Sequence, residues 1–173
     1  ANNAIATPTS GLRGGIAQIQ TTTVDDNTAY LDWGSYPSLD YNDLPTIEMR
    51  IKANENTDSN VWFGVANTGD IDSATRAYLV GFDTDDGGNV WRTRGRENSG
   101  VWFGQNTSKI LTTTWHIWKF EFTASQLRIY QDGELVGSRT NYTNTPSTFA
   151  PVLFQRTRTA ATATLYCDYI LAY

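Results

Sequence analysis

From residue 16 onward, apolar side chains recur at every second position in short runs, and each run ends in a cluster of Gly, Asn, Asp or Pro. A period of two belongs to strands, whose successive side chains point to opposite faces. The clearest run is TIEMRIKA (46–53), with Ile47, Met49, Ile51 and Ala53 on one face and Glu48, Arg50 and Lys52 on the other. One face is expected to be buried and the other wet. NVWFGVAN (60–67) is apolar on both faces, so that strand should be covered on both sides or line a groove. GVWFGQ (100–105) repeats its core, which suggests two inner strands with similar surroundings. Further runs at 77–83, 89–95, 116–123, 126–131, 134–140, 151–157 and 163–173 bring the expectation to roughly a dozen strands. No stretch keeps a 3.6-residue period for three turns, so the fold class is all-β, an antiparallel β-sandwich or barrel.

The punctuation supports hairpins. In WHIWKFEFTASQLRIYQDGELVGSRT (115–140), Ala124-Ser125 separates two strands, and Asp132-Gly133 separates the next two. Gly133 supplies the positive φ that a two-residue turn requires. The segment therefore reads as a three-strand meander, with Trp118, Phe120 and Phe122 on one face and Leu127, Ile129 and Leu135 meeting them across the ladder.

Composition narrows the setting. With 173 residues the chain suits one domain with one sizeable core. Aromatic residues make up 13 %, which demands a core of large rings and favours sheet. Residues 1–15 carry Pro8, Ser10, Gly11, Gly14 and Gly15 among few apolar anchors, and read as an arm that is flexible or laid across a neighbour; the domain runs from 16 to 173. The net charge of −5, from 13 basic and 18 acidic residues, argues against a nucleic-acid partner, which calls for a positive excess. No run of 18 apolar residues exists, so no membrane partner is expected, and the polar start does not resemble a signal peptide. Ala1 fits removal of an initiator Met and thus a complete small protein, an expectation resting on that one residue. The single Cys167 excludes an intramolecular disulfide. It shares a face with Leu165, Tyr169 and Leu171 and is expected to be a buried, inert thiol.

The meander carries a resemblance. Trp115 and His116 lead into a strand, and Leu127, Ile129 and Tyr130, then Asp132, Gly133 and Val136, follow in the order W-H, L-x-I-Y, D-G-x-x-V. In these residues the chain resembles the concanavalin A-like lectin/glucanase superfamily, especially its laminin-G-like members. The tail, 144–173, resembles the closing strands of such domains in viral tail and fibre proteins. The resemblance implies a jelly-roll sandwich of two curved antiparallel sheets, and glycan binding or glycan cleavage on one sheet or its rim loops.

Catalytic residues are not evident. Retaining glucanases of this fold place their carboxylates as E-x-D-x-x-E on one strand face, close enough to bracket a glycosidic bond. Here the five Glu, at 48, 55, 97, 121 and 134, have no Asp two places on and no Glu four or five places on. A lyase of similar fold would call on a His, and the one His, His116, is expected to pack or hydrogen-bond beside Trp115. Asp70 and Asp72 in TGDIDS, and Asp83 and Asp85 in FDTDDGGN, have a spacing that could hold calcium on a rim loop. The second run lacks an acidic residue at its twelfth place, where Arg94 stands, and Asp and Gly are ordinary turn residues.

Binding residues are easier to nominate. Trp91 and Trp102 share their strand faces with small or polar residues, which would leave an indole partly open for a sugar ring to stack on. Trp33, Trp62, Trp115 and Trp118 are expected in the core. Along NVWRTRGRE, Arg92, Arg94 and Arg96 fall on one side, about 7 Å apart at strand spacing. Three adjacent cations need compensation, either from Asp70 and Asp72 or from the carboxylates or phosphates of an acidic glycan. Arg156 and Arg158 form a shorter row of the same kind.

The sequence thus leads to a non-catalytic surface adhesion or structural module on a virus particle, extracellular or on the virion surface. Its expected partners are a glycan or cell-surface polysaccharide, neighbouring virion proteins and further copies of itself in a homo-oligomer, with the arm tying it to a neighbour. Two alternatives stand beside it: a carbohydrate-binding module of a secreted polysaccharide-degrading enzyme, and a glycoside hydrolase or polysaccharide lyase.

Overall fold

The computed structural model describes residues 7–8, 16–24, 28–32, 39–54, 59–66, 79–84, 90–96, 102–110, 112–140, 148–157 and 162–173. These form strands β1 (Thr7–Pro8), β2 (Ala17–Gln20), β3 (Thr28–Asp32), β4 (Leu39–Asp40), β5 (Thr46–Ala53), β6 (Ser59–Ala66) and β7 (Leu79–Thr84). They continue with β8 (Val90–Arg96), β9 (Trp102–Ile110), β10 (His116–Phe122), β11 (Gln126–Gln131), β12 (Glu134–Thr140), β13 (Thr148–Thr157) and β14 (Thr164–Ala172). The first sheet runs β1-β2-β14-β5-β10-β11-β12, and the second β3-β13-β6-β7-β8-β9, with β4 also pairing to β13. Two of the residues expected in a loose arm, Thr7 and Pro8, pair with Gln18 and Ala17 at the edge of the first sheet. A proline suits that position because an edge strand leaves one row of donors unused.

The alternation read from the sequence is what folds. β5 buries Ile47, Met49, Ile51 and Ala53 and leaves the residues between them partly exposed. β10 and β11 add Trp118, Phe120, Phe122, Leu127 and Ile129. From the second sheet come Val61, Phe63, Val65, Trp91 and Leu153. Phe63 sits at the centre of this layer, with its ring centroid 5.2 Å from Trp91 and 5.1 Å from Trp118, both edge to face. Such pairs add roughly 0.5–1.5 kcal/mol each beyond the area they bury. Phe122 stacks on Phe149 at 5.1 Å and joins the sheets further along.

The hairpin turns hold as expected, and one inference drawn from them does not. Asp132 and Gly133 both adopt positive φ, 50° and 83°. The two-residue loop pairs Gln131 with Glu134 and therefore Tyr130 with Leu135. Leu135 consequently lies on the outer side with Tyr130 and is 54 % exposed rather than packed on Leu127 and Ile129. The repeated VWFG strings differ as well: β6 lies between β13 and β7, whereas β9 ends the order of its sheet.

The outward faces are unlike one another. On the first sheet charged groups are paired: Arg50 reaches Asp168 at 2.6 Å and lies 4.9 Å over the ring of Trp115. Trp115 is thus outside the core, half-buried beneath a guanidinium. Tyr169 donates to Glu48 at 2.7 Å, and burial together with that carboxylate raises its phenol to about 12. On the second sheet, Trp62, Ala66, Val152 and Phe154 form a separate buried cluster, so Trp62 is interior but not part of the layer between the sheets. β6 is covered on both sides, the first of the two arrangements its sequence allowed.

Candidate functional site

More of the nominated residues fall on β8 than on any other strand. Trp91, at its start, is 3 % exposed and packed edge to face on Phe63 and Trp118, with centroids 5.2 Å from each. It is a core residue and offers no open face for a sugar, which corrects the expectation of a stacking platform at this position. The backbone beside it bulges, because Val90 pairs with Ile110 but Arg92 with Asn106. Thr107 spans that irregularity by donating its hydroxyl to the Trp91 carbonyl at 2.8 Å.

With Trp91 turned inward, the strand's alternation gives Arg92, Arg94 and Arg96 backbone positions on the opposite face. Cross-strand register then fixes what stands beside each. Arg92 pairs with Asp83 on β7 and Asn106 on β9. Arg94 pairs with Gly81 and Gly104, and Gly81 pairs in turn with Gly64. Arg96 pairs with Leu79 and Trp102. Three rows thus cross the second sheet, each with an arginine: one holds a carboxylate, one is bare backbone on either side of Arg94, and one holds an indole. Trp102 therefore keeps company with the arginine row that the sequence had treated as a separate feature. Arg156 lies on the same sheet and pairs with Thr28 and Asn60; Arg158 lies outside the described residues.

Of the carboxylates nominated for calcium, Asp70, Asp72 and Asp85 lie outside the described residues. Asp83 lies within β7, paired in register with Trp62 and Arg92, rather than in the connection after it. Among the described residues no group of three His, Cys, Asp or Glu side chains converges as a metal site would require.

His116 opens β10 and is held at both ring nitrogens. Nδ1 lies 2.6 Å from Asp132 Oδ2, and Nε2 lies 2.7 Å from Thr112 Oγ1 and 3.1 Å from Thr114 Oγ1. With Asp132 ionised, Nδ1 donates, and a neutral ring offers Nε2 as acceptor to the two hydroxyls. Burial pushes the Asp132 carboxyl up, but the Ile117 amide, the His116 ring and the charge of Lys109 outweigh it and hold the group below the ordinary carboxylate value. Hydroxyl, imidazole and carboxylate in line is an order that nucleophilic catalysis uses. Here the same groups tie down the chain: Ile117 donates its amide to Asp132 Oδ1 at 2.9 Å, and Asp132 donates its amide to the Ile117 carbonyl at 2.8 Å. The hydrogen-bonding role expected of His116 is thus observed, with the partner supplied by the Asp132-Gly133 turn. Cys167 is buried, and burial followed by the charge of Asp168 raises its thiol to about 12.

Comparison with known proteins adds the family. The sequence pattern of laminin-G type described as the Concanavalin A-like lectin/glucanases superfamily matches residues 25–165. The chain belongs to this superfamily. No curated protein matches the sequence. Solved structures do, at low identity. A β-1,3-glucanase from Mycobacterium marinum aligns with a TM-score of 0.64 and 16 % identity, over 92 % of this chain and 74 % of that one. The catalytic domain of an endo-1,3-β-glucanase (laminarinase) from Thermotoga petrophila RKU-1 gives 0.64 and 14 %, over 95 % and 81 %. A glycoside hydrolase family 16 endo-glucanase from Bacteroides ovatus gives 0.66 and 10 %, over 97 % and 85 %. At such identities the likeness is one of fold, the two-sheet concanavalin A-like sandwich. These neighbours lend no support to the viral resemblance of residues 144–173, nor to neighbouring virion proteins as partners.

Proposed function

We propose that the chain is a non-catalytic, glycan-binding concanavalin A-like domain that presents the outward face of its second sheet, around β7, β8 and β9, to a polysaccharide. The observation that carries this reading is the register that sets Arg94 between Gly81 and Gly104, with Arg92 and Arg96 in the flanking rows. A row of glycines lets a flat sugar ring approach the backbone of the sheet. A guanidinium is a fork of donors suited to a carboxylate or to paired hydroxyls. Trp102, in register with Arg96, supplies an indole at the end of the same face. The fold is consistent with this, since structural neighbours named above are β-1,3-glucanases, which act on a polysaccharide. The absence of E-x-D-x-x-E from the sequence supports binding without cleavage. Of the readings drawn from the sequence, the module of a polysaccharide-degrading system fits these observations better than a virion protein does.

The test is retention on insoluble β-1,3-glucan and on a polyuronate gel, for the wild type and for Arg94→Ala and Trp102→Ala. Binding to one matrix is expected, with Arg94→Ala weakening it about ten- to a hundredfold, the worth of a charged hydrogen-bonded contact. Retention of Arg94→Ala equal to that of the wild type would refute the site. Release of reducing ends from either polysaccharide would refute the non-catalytic reading.

A further inference from the structure

At the far edge of the sandwich, the last strands of the two sheets approach each other. Lys109 on β9 reaches Glu134 on β12 at 2.5 Å and bridges one sheet to the other. Beside that bridge lies an open groove of about 360 Å³, bounded by the end of β9, by Thr112 and His116, and by the Asp132-Gly133 hairpin. Ligand sites run from roughly 300 to 1,000 Å³, so the groove has room for a single small ring.

Its chemistry is specific. Gln131 lines it and is 5 % exposed, yet its side-chain oxygen Oε1 has no hydrogen-bond partner. A buried amide oxygen left without a hydrogen bond is costly, so the position favours an occupant that completes it. Either end of an amide can be the one that faces such a gap, and a hydroxyl group serves both because it donates and accepts. The charged groups on the walls already have partners: Lys109 pairs with Glu134, and Asp132 holds His116 Nδ1 at 2.6 Å. An ionic ligand would have to break one of these pairs, whereas a neutral one need not. Ser108 adds a hydroxyl on the rim, and Ile110, 52 % exposed, adds an apolar wall. Polar groups at the base, matched charges at the side and one apolar wall suit a molecule with hydroxyls at its edge and C–H groups on its face.

We propose that this groove is a second binding site, separate from the face of the second sheet, for one neutral polyhydroxylated ring such as a terminal sugar unit, with the Gln131 side chain as its central hydrogen-bonding group. It rests on Gln131 and the groove alone, and stands or falls independently of Arg94.

The test is a titration of the isotope-labelled domain with D-glucose, D-galactose and N-acetylglucosamine, followed by amide and side-chain NMR shifts. Saturable shifts are expected at residues 108–110, His116 and 131–134 with at least one sugar. Gln131→Leu should weaken that binding about tenfold, and Ser108→Ala, an exposed change that leaves the fold intact, by a smaller factor. Arg94→Ala should leave the titration unchanged. No saturable shift with any of the three sugars, shifts confined to residues 79–84, 90–96 and 102–106, or undiminished affinity in both Gln131→Leu and Ser108→Ala would each overturn the proposal.

Discussion

Replacing Asp132 tests how a single turn residue ties the β11–β12 hairpin to the start of β10. Asp132→Ala removes the acceptor of the Ile117 amide at 2.9 Å and the partner of His116 Nδ1 at 2.6 Å. The carboxylate is half exposed, so its ion-pair character is largely screened and adds little. Counting the two hydrogen bonds at about 1 kcal/mol each gives roughly 2 kcal/mol. An alanine forced to a φ of 50° adds a further penalty, on the order of 1 kcal/mol. Asp132→Asn keeps an acceptor for Ile117 and tolerates that φ, so it should lose no more than about 1 kcal/mol. The assay is urea unfolding: with a slope near 2 kcal/mol per molar, the alanine variant's midpoint should fall by more than about 1 M and the asparagine variant's by half of that or less. The pH dependence adds a sign. Asp132 titrates below its ordinary value in the folded state, so its contribution is complete above about pH 4 and disappears as pH falls through the lower, folded value. The wild type's advantage over Asp132→Asn should therefore shrink on acidification. A midpoint for Asp132→Ala within error of the wild type, or an asparagine variant as damaged as the alanine one, would refute this account of the turn.

Phe63→Ala should destabilise by about 3–5 kcal/mol in the same assay, because the ring is fully buried and its loss would open a cavity among Trp91, Trp118 and Phe120. Gln155 is fully buried with neither end of its amide hydrogen-bonded, so Gln155→Leu should raise the unfolding free energy by roughly 1 kcal/mol; a loss of similar size would show that the amide is satisfied by internal water. Cys167, with its thiol raised to about 12, should resist maleimide at pH 8 and be labelled only at the rate of unfolding, whereas prompt labelling would place it at the surface. Arg50→Ala, which loses the half-exposed Asp168 pair and the stack on Trp115, should cost about 1 kcal/mol, and a cost above about 3 would mean that the pair is desolvated.

Strands were legible wherever one face is buried and the other wet. TIEMRIKA shows its alternation in eight letters and folds with those bounds. The partners across a sandwich were not, because a residue's neighbours along its own strand say nothing of what the opposite sheet delivers. Trp91 is the example: Thr93 and Gly95 beside it in the sequence suggest an open ring, while Phe63 and Trp118 pack edge to face against it. Leu135 is a different case, since a two-residue Asp-Gly loop already dictates that it pairs with Tyr130, and counting back through the turn would have placed it outside. The glycine row around Arg94 required the register of four strands, which no local pattern encodes. The groove at Gln131 had only the faint signal of a glutamine at the end of a buried alternation, Leu127, Ile129, Gln131.

Strand β14 occupies the interior of the first sheet, with β2 and β5 as its neighbours, and Tyr173 exchanges both backbone hydrogen bonds with Thr46 at 2.8 and 3.0 Å. During translation, two strands made early must therefore wait, their ladder groups open, until more than a hundred further residues have left the ribosome. Such waiting edges are sticky. The nascent polypeptide should thus depend on holding chaperones, and truncation before β14 should yield aggregate rather than a smaller folded product.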